Sequence, residues 1–95
     1  MTLNCIIIDD EPLAAELLAS YARKTLFLNL IGVFNSAVEG IKVIRENRVD
    51  LIFLDIQMPE LSGLEFAKIL PKETKIIFTT AFSQYAVDGY KANAV

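Results

Sequence analysis

Two apolar periodicities alternate along this chain, and that alternation restricts its possible folds more than any other feature. Four short apolar runs predict buried strands: Leu3–Ile8, Asn29–Phe34, Val49–Leu54 and Lys75–Thr80. A segment with helical spacing follows each run: Glu11–Lys24, Ser36–Asn47, Ser62–Leu70 and Ser83–Lys91. Strict alternation of strand and helix predicts an α/β domain with a parallel sheet. Because the runs are continuously apolar, we expect strands buried on both faces.

Local signals define several of the helices. Pro12 suits the first turn of the first helix. Ser36 and Ser62 each precede a glutamate by three residues, which is the spacing of a capping box. The first helix has an apolar stripe typical of an amphipathic helix, made of Leu13, Leu17 and Tyr21 with Ala14 and Leu18 beside it. The second helix is expected to turn three apolar residues inward: Ala37, Ile41 and Ile44.

Length and composition indicate one soluble domain over residues 1–95. A net charge of −3 argues against direct binding of nucleic acid. No apolar run reaches the roughly 20 residues of a membrane span, and Met1–Asn4 does not begin a secretory signal, so we expect a cytoplasmic protein. The sequence has no histidine, so a phosphohistidine would have to come from a partner. Cys5 is the only cysteine, which excludes an internal disulfide, and its apolar neighbours predict a buried thiol.

Carboxylates and hydroxyls stand where the predicted strands end. Asp9, Asp10 and Glu11 follow the first strand, Asp55 follows the third, and Thr79–Thr80 ends the fourth. In open parallel sheets, ligands bind beyond the carboxyl ends of the strands. Clustered carboxylates repel one another and need a compensating cation. Oxygen ligands of this kind suit Mg²⁺, which usually takes one or two carboxylates together with phosphate oxygens.

These residues predict a phosphoryl-transfer site. Asp55 can act as a nucleophile that forms an aspartyl phosphate, and the metal would neutralise charge on the transferred oxygens. The Thr80 hydroxyl can donate a hydrogen bond to one of them. After Asp55, Pro59 fixes a backbone dihedral and Gly63 permits an unusual one, so the loop can hold Asp55 rigidly and aim a backbone carbonyl at the site.

Each residue also has a purely structural interpretation. Asp9 or Asp10 alone would cap the first helix, and Glu11 suits its first turn. Asp55 alone is an ordinary loop acid, and Thr79 is an ordinary strand residue. The combination favours the functional interpretation, because acids that serve no function have no reason to gather at neighbouring strand ends.

Three motifs stand out together: Ile-Ile-Asp-Asp-Glu-Pro at 7–12, Leu-Asp-Ile-Gln-Met-Pro at 54–59 with Gly63, and Thr80-Ala81. In combination they resemble the receiver domain of bacterial two-component response regulators. The resemblance extends from Leu3 to Val95. The segment from Phe82 to Val95 further resembles receivers that precede a LytTR-type DNA-binding domain.

The resemblance implies a flavodoxin-like, doubly wound sheet of strand order 2-1-3-4-5 and a role for each motif residue. Asp55 would be the phosphoacceptor. Asp10, Asp9, Asp55 and the main-chain carbonyl of Gln57 would hold Mg²⁺ or Mn²⁺. Thr80, with Ala81 after it, would be the switch that binds the phosphoryl group. The donor would be a sensor histidine kinase, and any DNA contact would be made by an effector domain outside these residues.

The sequence departs from this family at its end. The fifth strand, its lysine and the fifth helix are expected after Val95, and Lys75 and Lys91 are not placed to replace that lysine. The first helix would then lose a neighbour, and the fourth strand would become an apolar edge open to pairing. The sequence therefore predicts order 2-1-3-4 and a possible homodimer through the fourth strand or fourth helix.

Two further functions are compatible with these residues. One is a receiver-like module that binds partners without being phosphorylated. The other is a hydrolase that works through an aspartyl phosphate, but that class usually has a second acid two residues after the nucleophile, where this chain has Gln57. The leading prediction is a signalling switch rather than a metabolic enzyme.

Overall fold

Strands and helices alternate in the computed structural model as they do in the sequence pattern. It describes residues 1–55 and 63–79, with elements β1 (Leu3–Ile8), α1 (Pro12–Lys24), β2 (Leu28–Phe34), α2 (Ala37–Glu46), β3 (Leu51–Leu54), α3 (Gly63–Lys68) and β4 (Lys75–Phe78). All pairings are parallel, and the strand order is β2-β1-β3-β4. The predicted fold class and order are confirmed. The helix predicted at Ser83–Lys91 lies outside the described residues.

The sheet is covered on both faces, as the continuous apolar strands predict. On one face, α2 and α3 pack over a core of Ile6, Ile8, Ala37, Val49, Ile52, Leu54, Phe66 and Ile76. On the other face, α1 packs through Ala15 and Ala19 against Ile7. Successive β1 residues therefore point to opposite cores, which makes this strand the centre of the domain. Cys5 is fully buried as predicted, and burial raises the pKa of its thiol.

The face of α1 that meets the sheet is not its stripe of large apolar residues. Leu13, Leu17 and Tyr21 are 81%, 56% and 59% exposed, while the buried residues are Ala15, Ala19 and Ala22. The apolar stripe seen in the sequence is therefore the solvent-facing side of this helix. Small alanine side chains let the helix approach the sheet closely, and this outweighs the area that the larger side chains would bury.

The inward face of α2 matches the sequence prediction. Ala37 is buried, and Ile41 and Ile44 pack against the same core. The helix begins at its predicted cap, where the Ser36 hydroxyl accepts a hydrogen bond from the Glu39 amide at 3.3 Å.

Gly40 sets how closely α2 approaches β1. A Cβ at this position would overlap Cδ1 of Ile8 and lie 3.0 Å from its Cγ1. Since Ile8 is fully buried, its side chain would have to shift within the packed core. Overpacking of this kind costs about 1–3 kcal/mol, against a gain of about 1 kcal/mol from replacing a helical glycine by alanine.

We therefore expect Gly40→Ala to lower the free energy of unfolding by up to about 2 kcal/mol in urea titrations. Lys42→Ala is the matched control, because Lys42 is exposed on the same helix. An increase in stability for Gly40→Ala, or equal effects of the two substitutions, would contradict the close approach.

Asp50 ties the amino ends of three strands together. Its carboxylate accepts a hydrogen bond from the Asn4 amide at 2.9 Å, its own amide donates to the Asn4 carbonyl, and its carbonyl accepts from the Lys75 amide. Arg48 Nε lies 3.2 Å from the same carboxylate. The Asn4 amide, helped by the Arg48 guanidinium, holds the pKa of Asp50 below its ordinary value.

A lowered pKa makes the contribution of Asp50 to stability depend on pH. That contribution is complete above the unfolded-state pKa of about 3.9 and is lost as pH falls through the lower folded-state value. Asp50→Asn should thus be less stable than wild type near neutrality, and the difference should shrink in acid. Denaturant titrations over a pH series measure it, with the exposed Glu16→Gln as control. A gap between wild type and Asp50→Asn that does not change with pH would refute this account.

Candidate functional site

Strand register brings the predicted site residues together at the carboxyl-terminal end of the strands. Ile8 pairs with Leu54, and Leu54 pairs with Phe78. The hydrogen-bond ladder continues for one residue beyond each pair, because the Asp55 amide donates to the Ile8 carbonyl at 2.9 Å and the Thr79 amide to the Leu54 carbonyl at 3.0 Å. The ends of β1, β3 and β4 therefore lie at one level, and their first loop residues lie side by side.

Asp9 is fixed by its backbone and by its side chain. Its amide donates to the Phe34 carbonyl of β2 at 3.0 Å, and its carboxylate Oδ1 accepts from the Glu11 amide at 2.9 Å. Asp9 is buried, with only 4% of its surface exposed. Asp9 thus does part of what the helix-cap interpretation expected, although the N-cap residue of α1 is Glu11, which makes no side-chain cap bond.

Three carboxylates meet at this edge. One oxygen from each of Asp9, Asp10 and Asp55 lies within 4.8 Å of the others. Exposure differs among them, since Asp9 is buried, Asp55 half-buried and Asp10 exposed. The proximity that the sequence predicted between residues 9–10 and residue 55 is present in the structure.

The cluster fits a small divalent cation by charge and by ligand type. Two like charges about 4 Å apart repel by about 1 kcal/mol in water and about 4 kcal/mol near a protein surface. A cation bound between the two carboxylates replaces this repulsion with attraction. Ligands at opposite corners of a Mg²⁺ site are about 4.2 Å apart, since each bond is about 2.1 Å. The three carboxylate oxygens lie within 4.8 Å of one another, so they are near enough to share one small cation.

Several predicted site residues lie elsewhere or outside the described ranges. Gln57, Pro59, Thr80 and Ala81 are outside them, so the roles assigned to these residues stay predictions. Gly63 is the first residue of α3. Thr79 is half-buried beside the cluster. Lys75 is the first residue of β4, so it lies at the amino-terminal end of the strands, opposite the carboxylate cluster, as expected from its sequence position.

Sequence reasoning missed one surface next to the cluster. The apolar stripe of α1 begins at Leu13, three residues after Asp10, and is open to solvent. A signal for it was present, because Ala15, Ala19 and Ala22 have helical spacing and lie on the opposite side of the helix from Leu17.

Comparison with known families agrees with this geometry. Residues 5–95 match the family model described as the response regulator receiver domain. The chain belongs to the response regulator receiver family. Receivers of this family act in two-component systems and interact with histidine kinases.

The receiver also has similar relatives of known sequence. It is 40% identical over 94 residues to an uncharacterized response regulatory protein of Vibrio cholerae and to the transcriptional regulatory protein BtsR of Escherichia coli K12. Each match covers 97% of this chain, but only 40% and 39% of the respective relative. The chain thus spans about two fifths of the length of these proteins.

Solved structures show the same fold. The response regulatory domain of mrkE from Klebsiella pneumoniae superposes with a TM-score of 0.86 at 30% identity, over 97% of this chain and 78% of that one. The response regulator domain of CheB from Thermotoga maritima gives a TM-score of 0.85 at 22% identity, over 100% of this chain and 75% of that one.

Among the described residues, no helix combines the length and apolar character needed to cross a bilayer.

Proposed function

We propose that this receiver accepts a phosphoryl group from a sensor histidine kinase on Asp55, with Mg²⁺ or Mn²⁺ held by Asp10 and Asp9. The observation that carries the proposal is the meeting of three carboxylates within 4.8 Å at the carboxyl edge of a parallel sheet. Asp55 itself would be a ligand, and the main-chain carbonyl of Gln57 would complete the protein's share of the coordination. Pro59 and Gly63 would shape the loop that follows Asp55.

The chemistry follows from the positions of the three acids. An Asp55 carboxylate oxygen attacks phosphorus, the P–N bond of the donor phosphohistidine breaks, and the imidazole keeps the bonding electrons and takes a proton from solvent. A bound divalent cation supplies neutralisation of the transferred oxygens. Asp9 is held by the Glu11 amide, so its position changes little when charge is transferred to Asp55. Thr80 and Ala81 would bind the phosphoryl group after transfer.

The outer surface of α1 is where we place the kinase. Leu13 and Leu17 are exposed apolar side chains on the helix that starts two residues after Asp10. A partner helix that buries them would carry a phosphohistidine to the edge where Asp55 lies. An apolar contact beside a charged reaction centre gives affinity that does not depend on the transferred group.

The output is proposed to be transcriptional control. The relative BtsR is named as a transcriptional regulatory protein, and it is more than twice as long as this chain. A LytTR-type DNA-binding domain in the remaining length would contact DNA, and the whole protein would act in the cytoplasm without membrane contact. Self-pairing along the edge of β4, or through the helix predicted at Ser83–Lys91, remains a prediction about its assembly.

One experiment separates this function from its alternatives. Mg²⁺ and beryllofluoride, a phosphoryl mimic, are added to the ¹⁵N-labelled chain, and amide shifts are followed. We expect shifts at residues 9–11, 55 and 79 that need both reagents and are absent in Asp55→Asn. Full-length protein that shows no shifts, or shifts that persist in Asp55→Asn, would indicate a partner-binding module without phosphorylation. Steady turnover of phosphate monoesters would instead indicate a hydrolase.

A further inference from the structure

Strand β2 carries one extra residue beside β1. Cys5 pairs with Leu30, but the next residue, Ile6, pairs with Gly32, so Ile31 is the extra residue of a β-bulge. The rest of β2 is thereby shifted by one position relative to β1. Because side chains alternate along a strand with a period of two, this shift decides which face of the sheet each later β2 residue occupies.

The bulge explains how β2 fills both cores. Leu30 and Val33 are three residues apart, an odd spacing that would put them on opposite faces of a regular strand. Both pack in the core under α1 with Ile7, whereas Phe34 packs in the core under α2, which contains Ile8. The packing of these side chains therefore fixes the shifted register of β2.

The shifted register also selects the main-chain group that holds Asp9. Ile8 pairs with Phe34, and the amide of the next residue, Asp9, donates to the Phe34 carbonyl at 3.0 Å. Without the extra residue, counting along the strands would pair Ile8 with Val33 and offer Asp9 a different carbonyl. Asp9 is thus held by β2 at its main chain and by the Glu11 amide at its side chain, where the distance to Oδ1 is 2.9 Å.

Gly32 leaves room for the ring of Phe34 at this end of β2. The two residues are two positions apart on one face of the strand, and a Cβ at position 32 would overlap Cζ of Phe34 and lie 2.6 Å from its Cε2. The ring therefore lies over the glycine, in the space that a side chain would occupy. Phe34 is half-buried and also packs against the core that contains Ile8, so its ring is held from two directions.

We propose that Gly32 and Phe34 are positioning residues for the cation site and act through the main chain of Asp9. A side chain at position 32 displaces the ring of Phe34, and the Phe34 carbonyl moves with it relative to the Asp9 amide. Asp9 then loses one of the two contacts that hold its carboxylate in the cluster with Asp10 and Asp55. The inference rests on the proposed function, in which this cluster binds Mg²⁺.

An NMR titration of the ¹⁵N-labelled full chain with Mg²⁺, at constant ionic strength, measures the effect. Groups that orient metal ligands typically change metal affinity by about 10- to 100-fold, and we expect the Kd of Gly32→Ala to be about tenfold above that of wild type. Thr74→Val is the matched control, because it removes a buried hydrogen bond to the Val49 carbonyl at the amino end of the strands. It should lower stability and leave the Kd unchanged.

A second substitution tests the contact between position 32 and the ring. Leucine has no atom where Phe34 has Cζ, so an alanine at position 32 fits beside it. Phe34→Leu alone should weaken Mg²⁺ binding less than Gly32→Ala does. The double variant Gly32→Ala/Phe34→Leu should match Phe34→Leu to within roughly twofold, whereas two independent effects would add.

The metal-free protein gives a measurement that does not depend on Mg²⁺. Because the proposed link is the hydrogen bond from the Asp9 amide to the Phe34 carbonyl, Gly32→Ala should move the Asp9 amide proton upfield and speed its exchange with D₂O. Thr74→Val should leave both unchanged. A role of Gly32 in packing alone would lower stability without changing this amide.

Three results would overturn the proposal: an unchanged Asp9 amide in Gly32→Ala, an unchanged Kd, or additive effects in the double variant. If Gly32→Ala does not fold, the double variant should still fold and bind Mg²⁺ as Phe34→Leu does, and its failure would count equally against the proposal. A wild-type chain that does not bind Mg²⁺ would overturn the proposed metal site instead. The Asp9 amide of the metal-free variants then decides whether β2 positions this residue, so the two failures are distinguishable.

Discussion

Asp10→Asn is expected to abolish the rise in melting temperature that Mg²⁺ gives the wild-type chain. Asp10 is the most exposed member of the carboxylate cluster and the one freest to turn toward a cation. A ligand that binds only the folded state adds about 2.7 kcal/mol at a hundredfold excess over its Kd. In a chain of this size, that corresponds to roughly 10 °C or more. Calorimetry with and without Mg²⁺ measures the difference.

When a chelator replaces the metal, Asp10→Asn should have the opposite effect on stability relative to wild type. Asn at position 10 removes repulsion from Asp9 and Asp55, so the metal-free variant should be more stable than wild type by about 1 kcal/mol. Glu16→Gln removes an acid of α1 outside the cluster and is the control for net charge. If Mg²⁺ stabilises Asp10→Asn as much as wild type, the cluster is not the metal site.

Phe66→Ala is expected to cost about 3–5 kcal/mol of unfolding free energy. Phe66 is the largest fully buried side chain in the described residues and belongs to the main core with Ile8 and Leu54. Helix α3 has only six residues, so its stability depends on this tertiary contact rather than on its own hydrogen bonds. The loss is a large share of the 5–15 kcal/mol typical of a whole domain.

Ile69→Ala is the matched control for this prediction, because Ile69 follows α3 directly and is 60% exposed. Urea titrations should show a loss well under 1 kcal/mol for it. Comparable losses for the two substitutions would mean that α3 is not anchored by Phe66. Conversely, a chain that no longer folds after Phe66→Ala agrees with the prediction if Ile69→Ala stays folded.

The fold was predictable because burial on both faces leaves a strong pattern. Ile6, Ile7 and Ile8 are all fully buried, so β1 could be recognised as a central strand. The start of β3 was less accessible to prediction. Val49 is apolar and buried, yet the strand begins at Leu51. The Val49 carbonyl accepts from the hydroxyl of Thr74, a contact between distant segments that the sequence does not reveal.

The inner face of α1 could not be chosen from the sequence, for a physical reason. Periodicity shows that Leu13, Leu17 and Tyr21 share a side, but the alanines at 15, 19 and 22 share the opposite side with the same period. Choosing between them requires the distance from helix to sheet, which is a tertiary quantity. Hydropathy favours the larger residues, whereas close packing favours the smaller ones.

The carboxylate cluster was partly accessible to prediction. Parallel strands bring their carboxyl ends to one edge, so Asp9, Asp10 and Asp55 were expected together. Their unequal exposure was not, nor was the hydrogen bond from the Glu11 amide to the Asp9 side chain. A local hydrogen bond of two residues' span decides which acid is fixed and which can turn toward a ligand.

The hydrogen-bond ladder between β3 and β4 connects the main chain at Asp55 closely to β4. The carbonyl that accepts the Thr79 amide belongs to Leu54, so it is part of the peptide group joined directly to Asp55. Any displacement of the Asp55 main chain pulls on that one bond. A displacement of the Asp55 main chain would therefore reach β4 through one hydrogen bond, without an intervening loop.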